Sequence, residues 1–234
     1  MINAAIFGAG RIGKVHTHNI ASLPGVALRY VVDVNPDAAA ELAGTYGAKP
    51  ATIEAALGDP GVHAVVIATS TDTHADLIQR AAAAGKAIFC EKPVDLALER
   101  ARLCAESVTR AGVLCGIGFQ RRTFTALKTR LDAGEIGEPE TLLITSRDPG
   151  PPPVSYIKVS GGIYKDMLIH DFDLFRWILE DEAISIHATG SCLVDPAIGE
   201  AGDVDTTAVT IRTRKGRLCQ INTTRREPVV IKEL

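Results

Sequence analysis

Short apolar segments alternate with amphipathic segments along the first half of the chain. Runs of β-branched and other apolar residues predict strands over residues 4–7, 27–32, 63–68, 87–90 and 113–119. Between them, apolar positions recur with a helical period, which predicts helices over residues 11–22, 36–46, 71–84 and 96–111. Strands that are apolar throughout are typical of a parallel sheet covered by helices on both faces. The pattern therefore predicts an α/β fold with a doubly wound parallel sheet, a domain of residues 1–120.

The pattern changes after about residue 120. A helix over residues 123–133, a strand over 141–146, a proline-rich loop at 149–153 and a helix over 162–179 are predicted in turn. Further strands follow at residues 184–194, 206–213, 218–224 and 229–232. Consecutive strands without helices between them favour antiparallel pairing. We therefore predict a second domain, residues 121–234, of α+β type with a mainly antiparallel sheet.

Composition and charge narrow the class of protein. With 46% hydrophobic and 23% charged residues the chain is a globular protein rather than a disordered or collagen-like one. A net charge of −3 provides no basic surface for nucleic acid or an anionic membrane. No apolar run approaches the roughly 20 residues that span a bilayer, and no signal peptide opens the chain, so we expect a cytoplasmic protein.

The cysteine count points the same way. Five is an odd number, and no C-x-x-C pair occurs, which argues against a disulfide framework and against a zinc site. We predict buried, reduced thiols at Cys90, Cys104, Cys115, Cys192 and Cys219.

A glycine-rich turn lies where the first predicted strand meets the first predicted helix. Gly8 allows the tight turn, Gly10 lets the backbone approach a pyrophosphate, and Gly13 lets helix and strand pack closely. Asp33 follows 20 positions after Gly13, where a carboxylate would bind the adenosine ribose hydroxyls and repel a 2′-phosphate. The spacing favours a Rossmann domain that binds NAD, the alternative being an aspartate that only caps a structural turn. The candidate cofactor-binding residues of this turn are Gly8, Gly10, Arg11, Ile12 and Gly13.

Polar residues also follow two later strands of the predicted parallel sheet. Thr69, Ser70 and His74 could donate to ribose and pyrophosphate, although plain helix capping with His74 on the surface is an equally ordinary alternative. Glu91 and Lys92 end a buried strand and precede a proline. An acid and a lysine there predict contact with a polar ligand, because ligands bind at the carboxyl ends of such strands, although a surface ion pair is the simpler alternative.

Acidic and imidazole side chains recur on the helix predicted after the proline-rich loop. Asp166 and His170 are four residues apart and would share one face, with Asp173 one turn further. Because the neighbouring residues are apolar, this face is expected to be buried, where a carboxylate and an imidazole need partners. An aspartate that orients a histidine is typical of proton abstraction, and a structural pair is the alternative. A metal site is not predicted, since no third ligand at metal spacing is present.

Three of these motifs, in this order, resemble the Gfo/Idh/MocA oxidoreductases. They are G-A-G-R-I-G at residues 8–13, E-K-P at 91–93 and G-G-x-x-x-D-x-x-x-H at 161–170, and the resemblance extends from residue 1 to about Arg226. Residues 118–122, 146–149 and 169–173 are most similar to the bacterial inositol 2-dehydrogenases in that family.

The resemblance implies a role for each motif residue. Lys92 would hold the reacting hydroxyl, His170 would take its proton as general base, and Asp166 would orient His170 and relay the proton. The remaining implied contacts are Glu91 with the nicotinamide-side ribose, Gln120 and Arg121 with nicotinamide and substrate, and Asp173 with a substrate hydroxyl.

The function implied is NAD-dependent oxidation of a cyclic polyol, with myo-inositol converted to its 2-keto form. Oxidation of another sugar, reduction of a keto-sugar, and non-catalytic NAD binding are the alternatives. Family members usually continue well beyond the point where this chain ends, so the resemblance also implies a shortened C-terminus and an incomplete second sheet. A family sheet normally builds dimers or tetramers, so a homo-oligomer is expected if this sheet is competent.

Overall fold

The computed structural model describes residues 1–226, which form two compact units that divide between Gly118 and Phe119. In the first unit, strands and helices alternate. Their bounds are β1 Ile2–Phe7, α1 Arg11–Ser22, β2 Val26–Val32, α2 Pro36–Thr45, β3 Lys49–Pro50, α3 Ile53–Gly58, β4 Ala64–Ile67, α4 Thr71–Ala83, β5 Ala87–Cys90, α5 Leu98–Ala111 and β6 Cys115–Ile117.

These strands form one parallel sheet in the order β3-β2-β1-β4-β5-β6, which confirms the predicted doubly wound architecture. The central strand β1 is fully buried at Ala5, Ile6 and Phe7, because helices cover both faces. The chain crosses over between β1 and β4, so the carboxyl ends of these strands form the crevice in which such sheets bind ligands.

Two elements of the first unit were not predicted. Strand β3 has only two residues, paired at Tyr30↔Lys49 and Val31↔Pro50, which is too short for any alternation to show. Helix α3 is six residues long, and its start is capped by the Thr52 hydroxyl, which accepts from the Ala55 N–H. Such short elements depend on a cap or a neighbouring strand rather than on periodicity.

The second unit combines a sheet with helices. After a 3₁₀ helix, Gln120–Thr123, its elements are α6 Thr125–Asp132, β7 Thr141–Arg147, α7 Val154–Ser160, α8 Gly162–Asp166, α9 Leu168–Leu179, β8 Ala183–Ser191, α10 Pro196–Glu200, β9 Thr206–Thr213 and β10 Leu218–Thr224. The described strands are ordered β7-β10-β9-β8, with β7 parallel to β10 and the other two pairings antiparallel. The predicted α+β unit is confirmed, with a mixed sheet. The strand predicted at residues 229–232 lies outside the described residues.

The single helix predicted over residues 162–179 is wrong. The chain forms α8 and α9, joined at Met167, where the His170 N–H bonds to the Met167 carbonyl at 3.3 Å in place of an i→i−4 partner. At its start, α8 is held by Asp203, whose carboxylate oxygens both accept from the Ile163 N–H. Helix α7, also missed, occupies the residues between the proline-rich loop and Gly161.

All five cysteines are free thiols. Cys90, Cys104 and Cys219 are buried as predicted, whereas Cys115 and Cys192 are only half-buried, because they lie on a sheet edge and in a loop. Among the described residues, no helix combines the length and the apolar character needed to cross a membrane.

Asp205 is a buried charge with several donors. Its oxygens accept from the backbone N–H groups of residues 193, 194 and 195 and from the Thr206 hydroxyl. Burial alone would raise the pKa of this carboxyl, but these donors outweigh it and lower the pKa from 3.8 to about 2. The carboxylate therefore anchors the loop between β8 and α10 to the start of β9.

We expect Asp205→Asn to lower the free energy of unfolding by about 2 kcal/mol at neutral pH. The pKa of Asp205 is lower in the folded protein than in the unfolded protein. Its contribution to stability is therefore complete above the pKa of the unfolded state and is lost as the pH falls through the pKa of the folded state. The difference between the two proteins should therefore shrink between about pH 4 and pH 2. This difference in the free energy of unfolding is measured by chemical denaturation, followed by the fluorescence of Trp177. Trp177 is the single tryptophan and packs on the core of the second unit. Asp132→Asn, at an exposed site, is the control, and an equal difference at every pH would contradict the assignment.

Candidate active site

The glycine turn after β1 has the shape that an anion-binding loop requires. At Gly8, where φ is +102°, an added Cβ would lie 2.4 Å from the Ala68 carbonyl oxygen, and at Gly13 it would lie 1.9 Å from the Gly8 oxygen. At Gly10 nothing lies within 4 Å, so the backbone is open to a ligand. No side chain caps α1, and no acidic residue occupies its first turn, which leaves its N–H groups to a pyrophosphate.

Asp33 follows β2 and lies beside this turn. Its Oδ2 accepts from the Ala9 N–H at 2.6 Å, and its Oδ1 accepts from the Asn35 N–H at 2.8 Å. The half-buried carboxylate thus stabilises the glycine turn, as expected for an aspartate that caps a structural turn. A carboxylate has about four acceptor sites, so the same group can also bind ribose hydroxyls. With the open backbone at Gly10, this set of donors and acceptors fits the adenosine half of NAD.

The loop after β4 differs from its prediction at His74. Thr69 and Thr73 share a hydroxyl–hydroxyl bond of 2.7 Å, and Ser70 is exposed at the start of α4. The His74 side chain is buried, with Nδ1 2.8 Å from the Pro93 oxygen and Nε2 3.2 Å from the Thr69 oxygen. Because both ring nitrogens face backbone carbonyls, His74 joins the loops after β4 and β5, and it is not the surface residue of the alternative interpretation.

Glu91 and Lys92 follow β5. The Glu91 carboxylate lies 2.7 Å from His16 Nε2, a partner on α1 that the sequence interpretation missed. Burial alone would raise the pKa of Glu91, but the hydrogen bond and charge of His16, together with the backbone N–H and charge of Lys92, outweigh it and the pKa is lowered. Glycine at Gly118 leaves room for the close approach of this carboxylate, since an added Cβ would lie 3.1 Å from Oε2. Lys92 is half-buried at the same strand end and precedes Pro93 through a cis peptide bond.

Asp166 and His170 lie on either side of the α8–α9 joint. Asp166 Oδ1 accepts from the Tyr156 hydroxyl at 2.9 Å, and its Oδ2 is 3.5 Å from the Arg225 guanidinium. His170 is 7% exposed and lies edge-on to the Phe119 ring, with 6.3 Å between ring centres. The predicted general base is therefore buried against an aromatic ring, and the α8–α9 joint lies between it and its predicted partner in the chain.

Two ion pairs occupy residues that were predicted to face substrate. Arg121 pairs with the fully buried Asp171 and donates to the Ser146 hydroxyl at 2.8 Å. Arg122 holds Asp173 through two hydrogen bonds of 2.8 and 2.5 Å. Arg121 and Asp173 thus each have a protein partner, and the contacts predicted for them with nicotinamide and substrate stay predictions. Burial raises the pKa of Asp171 to about 6 despite the neighbouring arginine.

Gln120, the remaining predicted cofactor contact, begins the 3₁₀ helix and is exposed. In residues 1–226, no three His, Cys, Asp or Glu side chains are grouped closely enough to hold a metal ion. The first unit offers an open glycine turn, a carboxylate beside it and a lysine at a strand end, and the second unit offers a half-buried aspartate at the end of α8 and a buried histidine in α9. These groups can bind a dinucleotide and move a proton.

Known families match both units. A family described as an oxidoreductase family with an NAD-binding Rossmann fold matches residues 2–119, and the GFO/IDH/MocA C-terminal domain matches residues 124–229. The inositol 2-dehydrogenase of Rhizobium meliloti is 48% identical over 228 residues, which are 96% of this chain and 69% of that relative.

Solved structures agree with this similarity. The chain superposes on a myo-inositol dehydrogenase from Corynebacterium glutamicum with a TM-score of 0.92 at 38% identity, covering 97% of this chain and 69% of that one. It also superposes on scyllo-inositol dehydrogenase from Lactobacillus casei, solved with bound NAD(H) and scyllo-inositol. That TM-score is 0.89 at 26% identity, covering 97% of this chain and 70% of that one.

Proposed function

This chain belongs to the Gfo/Idh/MocA family of NAD-binding oxidoreductases, and we propose that it oxidises one ring hydroxyl of an inositol to a ketone. The substrate proposed first is myo-inositol, which gives its 2-keto form. One observation supports this most strongly: the residues that match the family's catalytic motifs lie in a chain 48% identical to an inositol 2-dehydrogenase over nearly its whole length. Those residues are Lys92, Asp166 and His170.

Proton removal is assigned to His170. In its neutral form the imidazole accepts the hydroxyl proton, and Asp166 orients the ring and stabilises the cation that forms. The burial of His170 strengthens that electrostatic effect, because little water screens it. In this assignment Asp166 acts through His170, and Tyr156 helps to fix the carboxylate in place.

Lys92 is assigned to the substrate oxygen. Its ammonium group holds the hydroxyl and stabilises the negative charge that develops on the oxygen as the proton leaves. NAD supplies the hydride acceptor when it is bound. The chain's own contribution to cofactor binding comes from the turn at Gly8–Gly13, from Asp33 and from Glu91, whose carboxylate is proposed to bind the second ribose.

A panel of substrates tests the proposal. We would measure the absorbance of reduced nicotinamide formed by this 234-residue chain with NAD and with myo-inositol, scyllo-inositol or a common hexose. Turnover of an inositol in preference to the hexose is expected. Preference for a hexose would instead indicate a sugar dehydrogenase, and tight NAD binding without turnover of any polyol would indicate a non-catalytic relative. Light scattering on the same sample tests the predicted homo-oligomer.

Asp33 is expected to decide the choice between NAD and NADP. Asp33→Ser removes the carboxylate that would bind the ribose hydroxyls, so kcat/KM for NAD should fall by about 10- to 100-fold, whereas that for NADP should rise or stay constant. Steady-state kinetics with both cofactors measures the change. Asp76→Asn removes a carboxylate from an exposed site in the same unit and should leave the ratio unaltered. An unchanged preference in Asp33→Ser would remove Asp33 from the ribose site.

A further inference from the structure

An arginine is buried next to Asp166. The Arg225 side chain is 1% exposed, and its Nη2 lies 3.5 Å from Asp166 Oδ2 and 3.7 Å from Asp203 Oδ2. Its Nε has no hydrogen-bond partner in the part of the chain that the structure describes. A guanidinium that only stabilised the fold would be expected to form a short, two-pronged pair with one carboxylate, because a buried charge is costly. Here one cation is shared by two carboxylates.

Both carboxylates are already held by other donors. Asp203 accepts from the Ile163 N–H with both oxygens, at 3.1 and 3.0 Å, and Asp166 accepts from the Tyr156 hydroxyl. Neither acid therefore requires Arg225 as its sole hydrogen-bond partner. What Arg225 adds is charge: two carboxylates and one guanidinium carry −1 together, where the carboxylates alone would carry −2.

We propose that Arg225 is a positioning residue, which together with Asp203 sets the negative charge that Asp166 presents to His170. This inference rests on the proposed function, in which Asp166 orients His170 as general base. Arg225 reduces that negative charge and so keeps the imidazole from holding its proton too strongly at neutral pH. Asp203 acts in the opposite direction, because it draws part of the guanidinium's charge away from Asp166.

Other charged groups near Asp166, Arg225 and Asp203 have binding partners of their own. Asp171, next to His170 in the chain, pairs with Arg121, and Asp173 pairs with Arg122. The Asp205 carboxylate is bound by the backbone of the loop at residues 193–195. Its backbone carbonyl oxygen accepts from the backbone N–H of Arg225, which does not involve the guanidinium. None of these groups is altered in the variants below. Asp171, whose pKa is about 6, changes charge over the same pH range in each of them, so the differences between variants are assigned to Arg225 and Asp203.

Two substitutions should shift the pH dependence in opposite directions. Arg225→Gln removes the positive charge from the set formed by Asp166, Asp203 and residue 225. His170 should then hold its proton more strongly, and the acid limb of the kcat/KM profile should move to higher pH by roughly half to one unit. Asp203→Asn leaves only the opposite charges of Asp166 and Arg225, which cancel, and the acid limb should move to lower pH by a similar amount. Arg225→Lys keeps the charge and should return the limb to within a few tenths of a unit of the wild-type position. A purely structural role would lower activity in all three proteins without these opposite shifts.

A measurement without turnover keeps this inference separate from the proposed function. The chain has six histidines, so the His170 resonance can be assigned by its loss in His170→Ala and titrated by NMR in the protein without substrate. Opposite shifts of its midpoint in Arg225→Gln and Asp203→Asn would support the inference even if no inositol were oxidised. An unmoved midpoint in a folded Asp203→Asn protein would overturn it, whether or not Arg225→Gln folds. Inositol turnover with unmoved midpoints would leave only the proposed function standing.

Discussion

Replacing His170 with alanine is expected to lower kcat by about 10²- to 10⁴-fold while leaving the affinity for NAD within a few-fold of the wild type. The loss follows from the removal of the group that accepts the hydroxyl proton. Cofactor affinity is spared because the glycine turn and Asp33, which are proposed to bind NAD, belong to a separate compact unit. Steady-state kinetics with an inositol and a fluorescence titration with reduced NAD measure the two quantities.

The matched control for this prediction is His187→Ala. His187 is an exposed histidine of β8 in the same unit, so its removal should change neither quantity by more than about two-fold. Since removing a buried side chain also costs stability, His170→Asn is the second variant. It keeps a polar group of smaller size but cannot act as a base. Near-normal turnover in either His170 variant would refute the assignment.

The parts of this molecule that were predictable from sequence are the locally determined ones. The glycine turn and Asp33 were identifiable because strand, turn and helix follow one another within the first 33 residues, and Gly8 and Gly13 each have a steric reason in the structure. Helix α1 has the predicted bounds, as do β5, β9 and β10. In these segments periodicity, caps and breakers all agree on one answer.

The partners of several charged and polar side chains could not be predicted, because they lie far away in the sequence. Arg121 and Asp171 are 50 residues apart, as Arg122 and Asp173 are 51 apart, and no local pattern indicates that these charges meet. The same holds for His74 and the Pro93 carbonyl. A single sequence shows that a buried polar residue needs a partner, but the fold determines which partner it has.

One missed signal was available in the sequence. Asp195 followed by Pro196 is a strong helix-start pattern, and α10 does begin there, with the Asp195 carboxylate accepting from the Ala197 N–H. The predicted strand ended at residue 194, and no element was predicted between it and the strand that begins at residue 206. Asp203, Asp205 and Arg225 carried no comparable signal, since their importance lies in burial and in contacts across the second unit.

Lys92→Met is the second large effect that we expect, and it should differ in kind from the loss of His170. Methionine has a similar length but no charge, so the developing alkoxide would lose its electrostatic stabilisation, and kcat should fall by about 10²- to 10³-fold. If Lys92 also holds the ground-state hydroxyl, KM for the inositol should rise, whereas His170→Ala should leave KM nearly constant. Lys49→Met, at an exposed lysine of β3 in the same unit, is the control.

The pH profile separates the two roles further. A lysine that only supplies charge is not the group whose deprotonation starts the reaction, so the acid limb should persist in the residual activity of Lys92→Met. If His170 is the base, that limb should be absent from the residual activity of His170→Ala. Loss of the limb in Lys92→Met instead would exchange the two assignments and make Lys92 the proton acceptor. The same pair of profiles therefore tests both residues, and it does so whichever inositol proves to be the substrate.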